Sequence, residues 1–451
     1  MKKALFAAAV AVAAVAGVIV AVVISSNDES TSSSPTVPAA PTTTPTTATA
    51  PSATSPTTTA RKTTPTIPSA TKPVDTRSIE LPPPPSPTSP RRRTLIVGVA
   101  DDALAQPDSA RARVLTDVSK AAGFDAVIVT ATWTRGRRKP PAARMQVLRS
   151  VAAAAERRQM RMYVVVWHGL ARGTPRGPAE RADFAAFSGA VVKGMPYLDG
   201  VIVGNEPNLS TFWKPQFSDS GRDVAAIAYE DLLARSYDAI KAAKPSMQVI
   251  GGTLSPRGAD RPEGERPTHS PTSFIRDLGA AYRASGRDEP IMDAFAFHPY
   301  MQASRIPPKQ AHPQNRSITI ADYPKLVALL KEAFGGTAQA GEHLPILYTE
   351  FGVQTRVPPD KISFYSDQES PARTDSVGFQ QQADYYRQAL SLAYCQPTVK
   401  GLFVFHTFDE ADLAGWQSGL YFVDGTPKPS LPAFRQAVAD LRSGKLPPCP
   451  S

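Results

Sequence analysis

The chain predicts an α/β protein whose folded part is a (β/α)8 barrel, set behind an apolar N-terminal helix and a disordered linker. Three observations carry that expectation. Short apolar runs rich in β-branched residues alternate with helical stretches eight times from Arg93 onward. The fourth and the seventh run each end in a glutamate, Glu206 and Glu350. The composition also changes abruptly near residue 92, so only about 350 residues remain for a domain, a size that suits one large barrel.

The first segment, residues 1–27, opens with Lys2-Lys3 and continues as an uncharged run from Ala4 to Ile24. About 20 apolar residues suffice to cross a bilayer as a helix, whereas a cleaved leader has a shorter apolar core. The segment is therefore expected to be a signal anchor with its positive end in the cytoplasm, or a signal peptide if one of the alanine-rich sites is cut. The domain behind it is expected on the cell membrane facing away from the cytoplasm, or secreted. Residues 28–92 hold Pro, Thr, Ser and Ala with almost no large apolar side chains, and 15 of the chain's 45 prolines lie between Pro35 and Pro90. Such a segment buries too little to offset the entropy of ordering and reads as an extended tether.

Residues 93–445 hold the alternation. Strands are predicted at Leu95–Val99, Ala126–Val129, Met162–Val166, Val201–Val203, Val249–Ile250, Ala294–Phe297, Ile346–Tyr348 and Leu402–Phe405. Helices are predicted at Ala110–Ala122, Ala142–Arg158, Arg181–Gly194, Val224–Ala243, Ser273–Ala284, Tyr323–Phe334, Gly378–Tyr394 and Leu431–Leu441. Strict alternation of eight and eight is the count of a closed barrel, and no Gly-rich phosphate loop follows the first strand as a doubly wound sheet would favour. The long insertions from Leu254 to Thr272 and from Val353 to Ser376 are expected to wall the mouth.

The net charge of +10 comes partly from local runs such as Arg91-Arg92-Arg93 and Arg135-Gly136-Arg137-Arg138-Lys139. These read first as solvated surface, and otherwise as attraction to an anionic envelope or to acidic sugars. No nucleic-acid partner is expected, because the chain holds no recognisable module for one. Two cysteines, Cys395 and Cys449, are free to pair in an oxidising compartment, which would tie the C-terminal tail to the helix ending near Tyr394.

Barrels of this kind work at the carboxyl ends of their strands, so the residues following each run should share one mouth. They are Asp101, Trp133, Trp167-His168, Glu206, His298 and Tyr300, Glu350, and His406 with Asp409 and Glu410. Two carboxyls in one cleft are what acid/base and nucleophilic work at a glycosidic bond requires. His406, Asp409 and Glu410 carry no metal-ligand spacing, and neither a metal nor a cofactor is expected.

The motifs Asn205-Glu206-Pro207, Thr349-Glu350-Phe351-Gly352, Trp167-His168 and His298-Pro299-Tyr300 resemble those of the clan of retaining glycoside hydrolases with catalytic glutamates on strands 4 and 7. They are similar to family 5, and family 39 shares the first two. The resemblance spans about residues 93 to 443. It implies a carbohydrate substrate, Glu206 as acid/base, Glu350 as nucleophile and Asn205 at the sugar 2-hydroxyl. It further implies Tyr300 holding Glu350, His298 beside the acid/base, His168 in the substrate site, and Trp133, Trp167 and Trp416 as sugar platforms. In that scheme Glu206, the proton donor, is the glutamate that needs a raised pKa. Two departures stand out: no arginine ends strand 2, and Phe405-His406-Thr407 stands where family 5 usually has a tryptophan. Against the hydrolase stand a non-hydrolytic glycan-binding protein on the same barrel and a cell-envelope transglycosylase.

Overall fold

Eight parallel strands close on themselves in chain order. They are β1 (Ile96–Ala100), β2 (Ala126–Thr132), β3 (Arg161–Trp167), β4 (Gly200–Val203), β5 (Gln248–Leu254), β6 (Ala294–Phe297), β7 (Ile346–Phe351) and β8 (Val399–Phe405). The helices between and after them are α1 (Ser109–Ala122), α2 (Ala142–Arg157), α3 (Pro178–Gly194), α4 (Ala225–Ala243), α5 (Pro271–Ser285), α6 (Tyr323–Phe334), α7 (Phe379–Cys395) and α8 (Leu431–Ser443). This computed structural model describes residues 94–368, 375–446 and Cys449. The expected membrane or signal helix and the Pro/Thr-rich tether lie outside the described residues. Among the described residues no helix is long and apolar enough to cross a membrane.

The strands read as continuous apolar runs because both of their faces are buried. On β2, Ala126 and Ile128 point into the barrel with Tyr163, Ile202, Ile250 and Phe403. Val127 and Val129 of the same strand point outward into the larger core beneath the helices. Inside the ring, Tyr163 and Phe403 meet edge to face at 5.6 Å. Gly98 makes room for that pair, since a Cβ there would lie 2.2 Å from the Phe403 ring.

All eight predicted strands and helices form, and the differences lie at their ends. Helices α3 and α5 begin earlier than expected, at Pro178 and Pro271. A proline at the first helical position loses no hydrogen bond, so it starts a helix that sequence reading takes it to precede. Strand β5 runs on through Gly251 and Gly252. There a Cβ on Gly251 would sit 2.5 Å from Leu233, so packing against α4 selects glycine within the strand. The expected disulfide joins Cys395, the last residue of α7, to Cys449.

Candidate active site

The carboxyl end of β4 is shaped by its neighbours. Gly204 (φ 86°) turns the chain out of the strand, and Glu206 itself holds φ 41°, a left-handed conformation that a glutamate adopts only under constraint. Its backbone N–H donates to Thr253 O at 2.8 Å. Thr253, at φ 53°, lies at the irregularity where β5 slips its register against β6. Beneath them the Tyr229 hydroxyl from α4 donates to Val203 O (2.8 Å) and accepts from Gly252 N–H (2.9 Å), pinning β4 to β5. Asn208 fixes the outgoing loop: its Nδ2 donates to the carbonyls of Ser255, Arg257 and His269.

His298 follows β6 and is held there by donation of its N–H to Leu254 O at 3.0 Å. Its Nδ1 lies 3.1 Å from Glu206 Oε1 and 3.5 Å from Glu350 Oε2. One nitrogen thus lies against both carboxyls, which face each other across it as a pair. Tyr300 donates its hydroxyl to Glu350 Oε2 at 3.1 Å.

Burial, together with the charge of Glu206, drives Glu350 up to about 7; His298 and the Tyr300 hydroxyl pull it back. The 23 % of its side chain still open to the cleft also works against the rise. The sequence reading asks for a raised pKa at Glu206, whereas the structure raises Glu350, although its side chain is the more open of the two, 23 % against 12 %. For His298 burial opposes the charge, but the two glutamates outweigh it and hold the imidazole above its ordinary value. The charges of His298 and Glu350 therefore depend on each other. The missing strand 2 arginine has its counterpart in this imidazole, the largest of the forces that favour the Glu350 anion.

The tryptophans divide by burial. Trp416 is half-buried and leans on Tyr300 (ring centroids 5.0 Å) and Phe405 (5.6 Å), so a ring from the loop after β8 packs on the tyrosine that holds Glu350. That supplies in space the aromatic face that Phe405-His406-Thr407 lacks in sequence. Trp167, also half-buried, meets Phe212 edge-on, and its Nε1 is buried without a partner. Trp133 is a correction: it is 1 % exposed, packs on Phe184 and donates Nε1 to Arg137 O, so it caps the core and offers no open face. Asn205 stands half-exposed beside Glu206. His168 is buried against Trp213, and burial lowers it to about 4, which leaves it neutral.

The acids after β1 and β8 have other duties. Asp101 accepts from the N–H groups of Ala103 and Thr407, bolting the end of β1 to β8. Asp409 accepts from Lys428 Nζ (2.7 Å) and the Tyr365 hydroxyl (2.8 Å), turned away from His406. Glu410 accepts from Trp416 N–H, fixing the loop that carries that ring.

Two features escape sequence reading. Arg257, after β5, reaches the electrostatic field of Glu206. Asp223, His269 and Asp277, from three separate segments, gather in one group that could surround a cation. His269 Nε2 lies 3.1 Å from Gln216 O and 3.3 Å from Asp223 Oδ1. Burial raises both aspartates, Asp223 well above the carboxyl range, and a proton held between them balances the charge as a cation would.

The fold and the strand-end glutamates together define a (β/α)8 barrel with a carboxylate pair at its mouth. No family model and no curated protein matches the chain. Solved structures share its fold. A family 39 glycoside hydrolase from the gut symbiont Bacteroides cellulosilyticus WH2 aligns with a TM-score of 0.53 at 20 % identity, over 77 % of this chain and 64 % of that one. The GH5_18 protein of Streptomyces cattleya, in complex with Manβ1-4GlcNAc, aligns at 0.53 and 17 % identity over 79 % and 83 %. The virulence factor SghA, with its substrate analog salicin, aligns at 0.50 and 13 % identity over 82 % and 99 %. Both families whose motifs the sequence resembles are represented, and the likeness is one of fold.

Proposed function

We propose that the protein is a retaining glycosidase that hydrolyses O-glycosidic bonds, β-linked, in a poly- or oligosaccharide. The observation that carries this reading is His298 Nδ1 in contact with both glutamates, Glu206 at 3.1 Å and Glu350 at 3.5 Å. Glu206 gives its proton to the leaving oxygen while Glu350 attacks the anomeric carbon, forming a glycosyl ester and releasing the alcohol. Glu206, now a carboxylate, takes a proton from water; the water oxygen attacks the anomeric carbon and Glu350 leaves. Tyr300 and His298 stabilise the Glu350 anion before attack and as it departs. Asn205 binds the sugar 2-hydroxyl, His168 and Trp167 line the substrate site, and Trp416 offers the platform beside the nucleophile. On this reading the aromatic faces hold the ring while the carboxyls break the bond.

Export to the membrane surface or beyond belongs to the same proposal, and the Cys395–Cys449 bridge supports it, since such bonds persist in oxidising compartments. The test is a screen of the purified protein against aryl β-glycosides and polysaccharides, with the first-formed anomer read by proton NMR. A β product from a β-glycoside is expected. Glu206→Ala should slow substrates with poor leaving groups on the order of 10²–10⁴-fold, and activated aryl glycosides far less, because only the former need the acid. An α product, or equal losses across leaving groups, would remove the assignment; saturable binding without turnover would favour a glycan-binding protein.

A further inference from the structure

Arg257 is placed to do something that none of the preceding roles requires. It follows β5, and its carbonyl accepts from Asn208 Nδ2 at 3.3 Å, so its backbone is tied to the loop that carries Glu206. Its side chain crosses to the loop after β6, where Nη1 donates to Gln302 O at 2.5 Å. A guanidinium has five N–H donors in a planar fork, and this is its only hydrogen bond among the described residues. Its Nε is buried and unmatched, and it forms no ion pair among the described residues. Burial works against its charge, while Glu206 and Asp375 lie close enough to support it. A half-buried arginine with a covered Nε and no ion pair leaves donors free for a ligand that answers its charge.

Two loops of the rim have the same sign, while the loop that carries Arg257 also holds Asp260, Glu263 and Glu265. The loops after β2 and β3, residues 133–141 and 168–177, carry Arg135, Arg137, Arg138, Lys139, Arg172 and Arg176 and no acidic residue. Arg135 and Arg138 pair with Glu180 and Asp183 of α3; the others form no ion pair among the described residues. A guanidinium with donors to spare near the acid/base, in a mouth with two wholly basic loops, is matched to an anionic ligand.

We propose that Arg257 recognises an anionic group on the sugar, a carboxylate or a sulfate or phosphate ester, so that the substrate is an acidic glycan. This rests on the glycosidase reading of the same cleft. The fork accepts two oxygens of such a group at once, a geometry lysine cannot reproduce. A neutral sugar in the same place can accept hydrogen bonds through its hydroxyls but leaves the guanidinium charge unanswered.

The test compares matched pairs, an aryl β-glucuronide against the β-glucoside and a 6-sulfated β-glucoside against the β-glucoside, in wild type, Arg257→Gln and Arg257→Lys. Binding is measured in parallel, with hyaluronan, heparin and cellulose oligosaccharides and Glu350→Gln protein with and without Arg257→Gln. The anionic-to-neutral ratio of kcat/KM or affinity should fall at least about tenfold in Arg257→Gln and recover only in part in Arg257→Lys. The glucuronide and sulfate arms separate a carboxylate from an ester as the group read. Thermal melts of each variant identify any loss that comes from unfolding. A ratio unchanged by Arg257→Gln overturns the inference while turnover still supports the glycosidase reading. An equal shift of the pH profile for both members of a pair also overturns it, because Arg257 would then act only through Glu206. No turnover on any substrate, with Arg257-dependent binding of the acidic glycans, overturns the glycosidase reading and keeps the anionic site.

Discussion

At the ends of β1 and β8, Asp101 and Asp409 are sealed by fixed donors: two backbone N–H groups for the first, and Lys428, the Tyr365 hydroxyl and Gly419 N–H for the second. At the ends of β4 and β7, Glu206 and Glu350 face a single imidazole between them, with one phenol on Glu350. Both sectors hold acids in the same mouth, and burial raises Asp101 to about 6 and Glu350 to about 7. The difference lies in the partners. Fixed donors hold Asp101 and Asp409 in place, whereas at Glu350 the charge of a neighbouring histidine, itself raised by both glutamates, sets the balance. The first arrangement locks strands together; the second is poised for acid/base work.

The comparison can be broken from either side. The largest effect is expected in the locking sector. Lys428 and Asp409 form an ion pair with both side chains fully buried, so Lys428→Met, which leaves a carboxylate alone in the interior, should cost about 3–5 kcal/mol in denaturant unfolding. The folded fraction should keep the wild-type pH–rate profile. A shifted profile in that variant would mean that the two sectors are not separate.

In the other sector the expected effect falls on rate and pH. Glu350 must be ionised to attack, so kcat/KM should rise as pH climbs through about 7. His298 lowers the pKa of Glu350; removing its charge in His298→Gln raises that pKa, moves the acid limb to higher pH and slows turnover at pH 6 on the order of tenfold. Tyr300→Phe, which removes only a hydrogen bond, should move the limb in the same direction by less. A limb that stays in place in both variants would show that Glu350 titrates independently of its neighbours.

The barrel was legible because its signal is local. A strand buried on both faces announces itself by composition, as in Val201–Val203, and eight such runs in strict alternation leave few other topologies. The glutamates were legible for the same reason, since a strand end fixes which face of the barrel a residue occupies. Trp133 and Trp416 look alike in sequence, yet the first is covered by Phe184 of α3 and its own loop while the second stays half-open beside Tyr300. Arg257 escaped for a related reason: it lies in a loop without periodicity, and only the Asn208 contact and the reach to Gln302 bring it to the cleft. Asp223, His269 and Asp277 are brought together from separate parts of the chain, with no spacing to mark them. The raised pKa of Glu350 follows from the groups that three strand ends bring around it, which a single sequence does not encode locally.

The division of labour between Glu206 and Glu350 is tested most directly by Glu350→Ala turning over an activated aryl β-glycoside, with and without azide. Turnover should fall by a factor on the order of 10⁴ or more without azide, and azide should restore it by forming the α-glycosyl azide, because the anion occupies the space of the missing carboxylate. Unchanged turnover, or rescue that yields the β-azide, would contradict the assignment of Glu350 as the nucleophile.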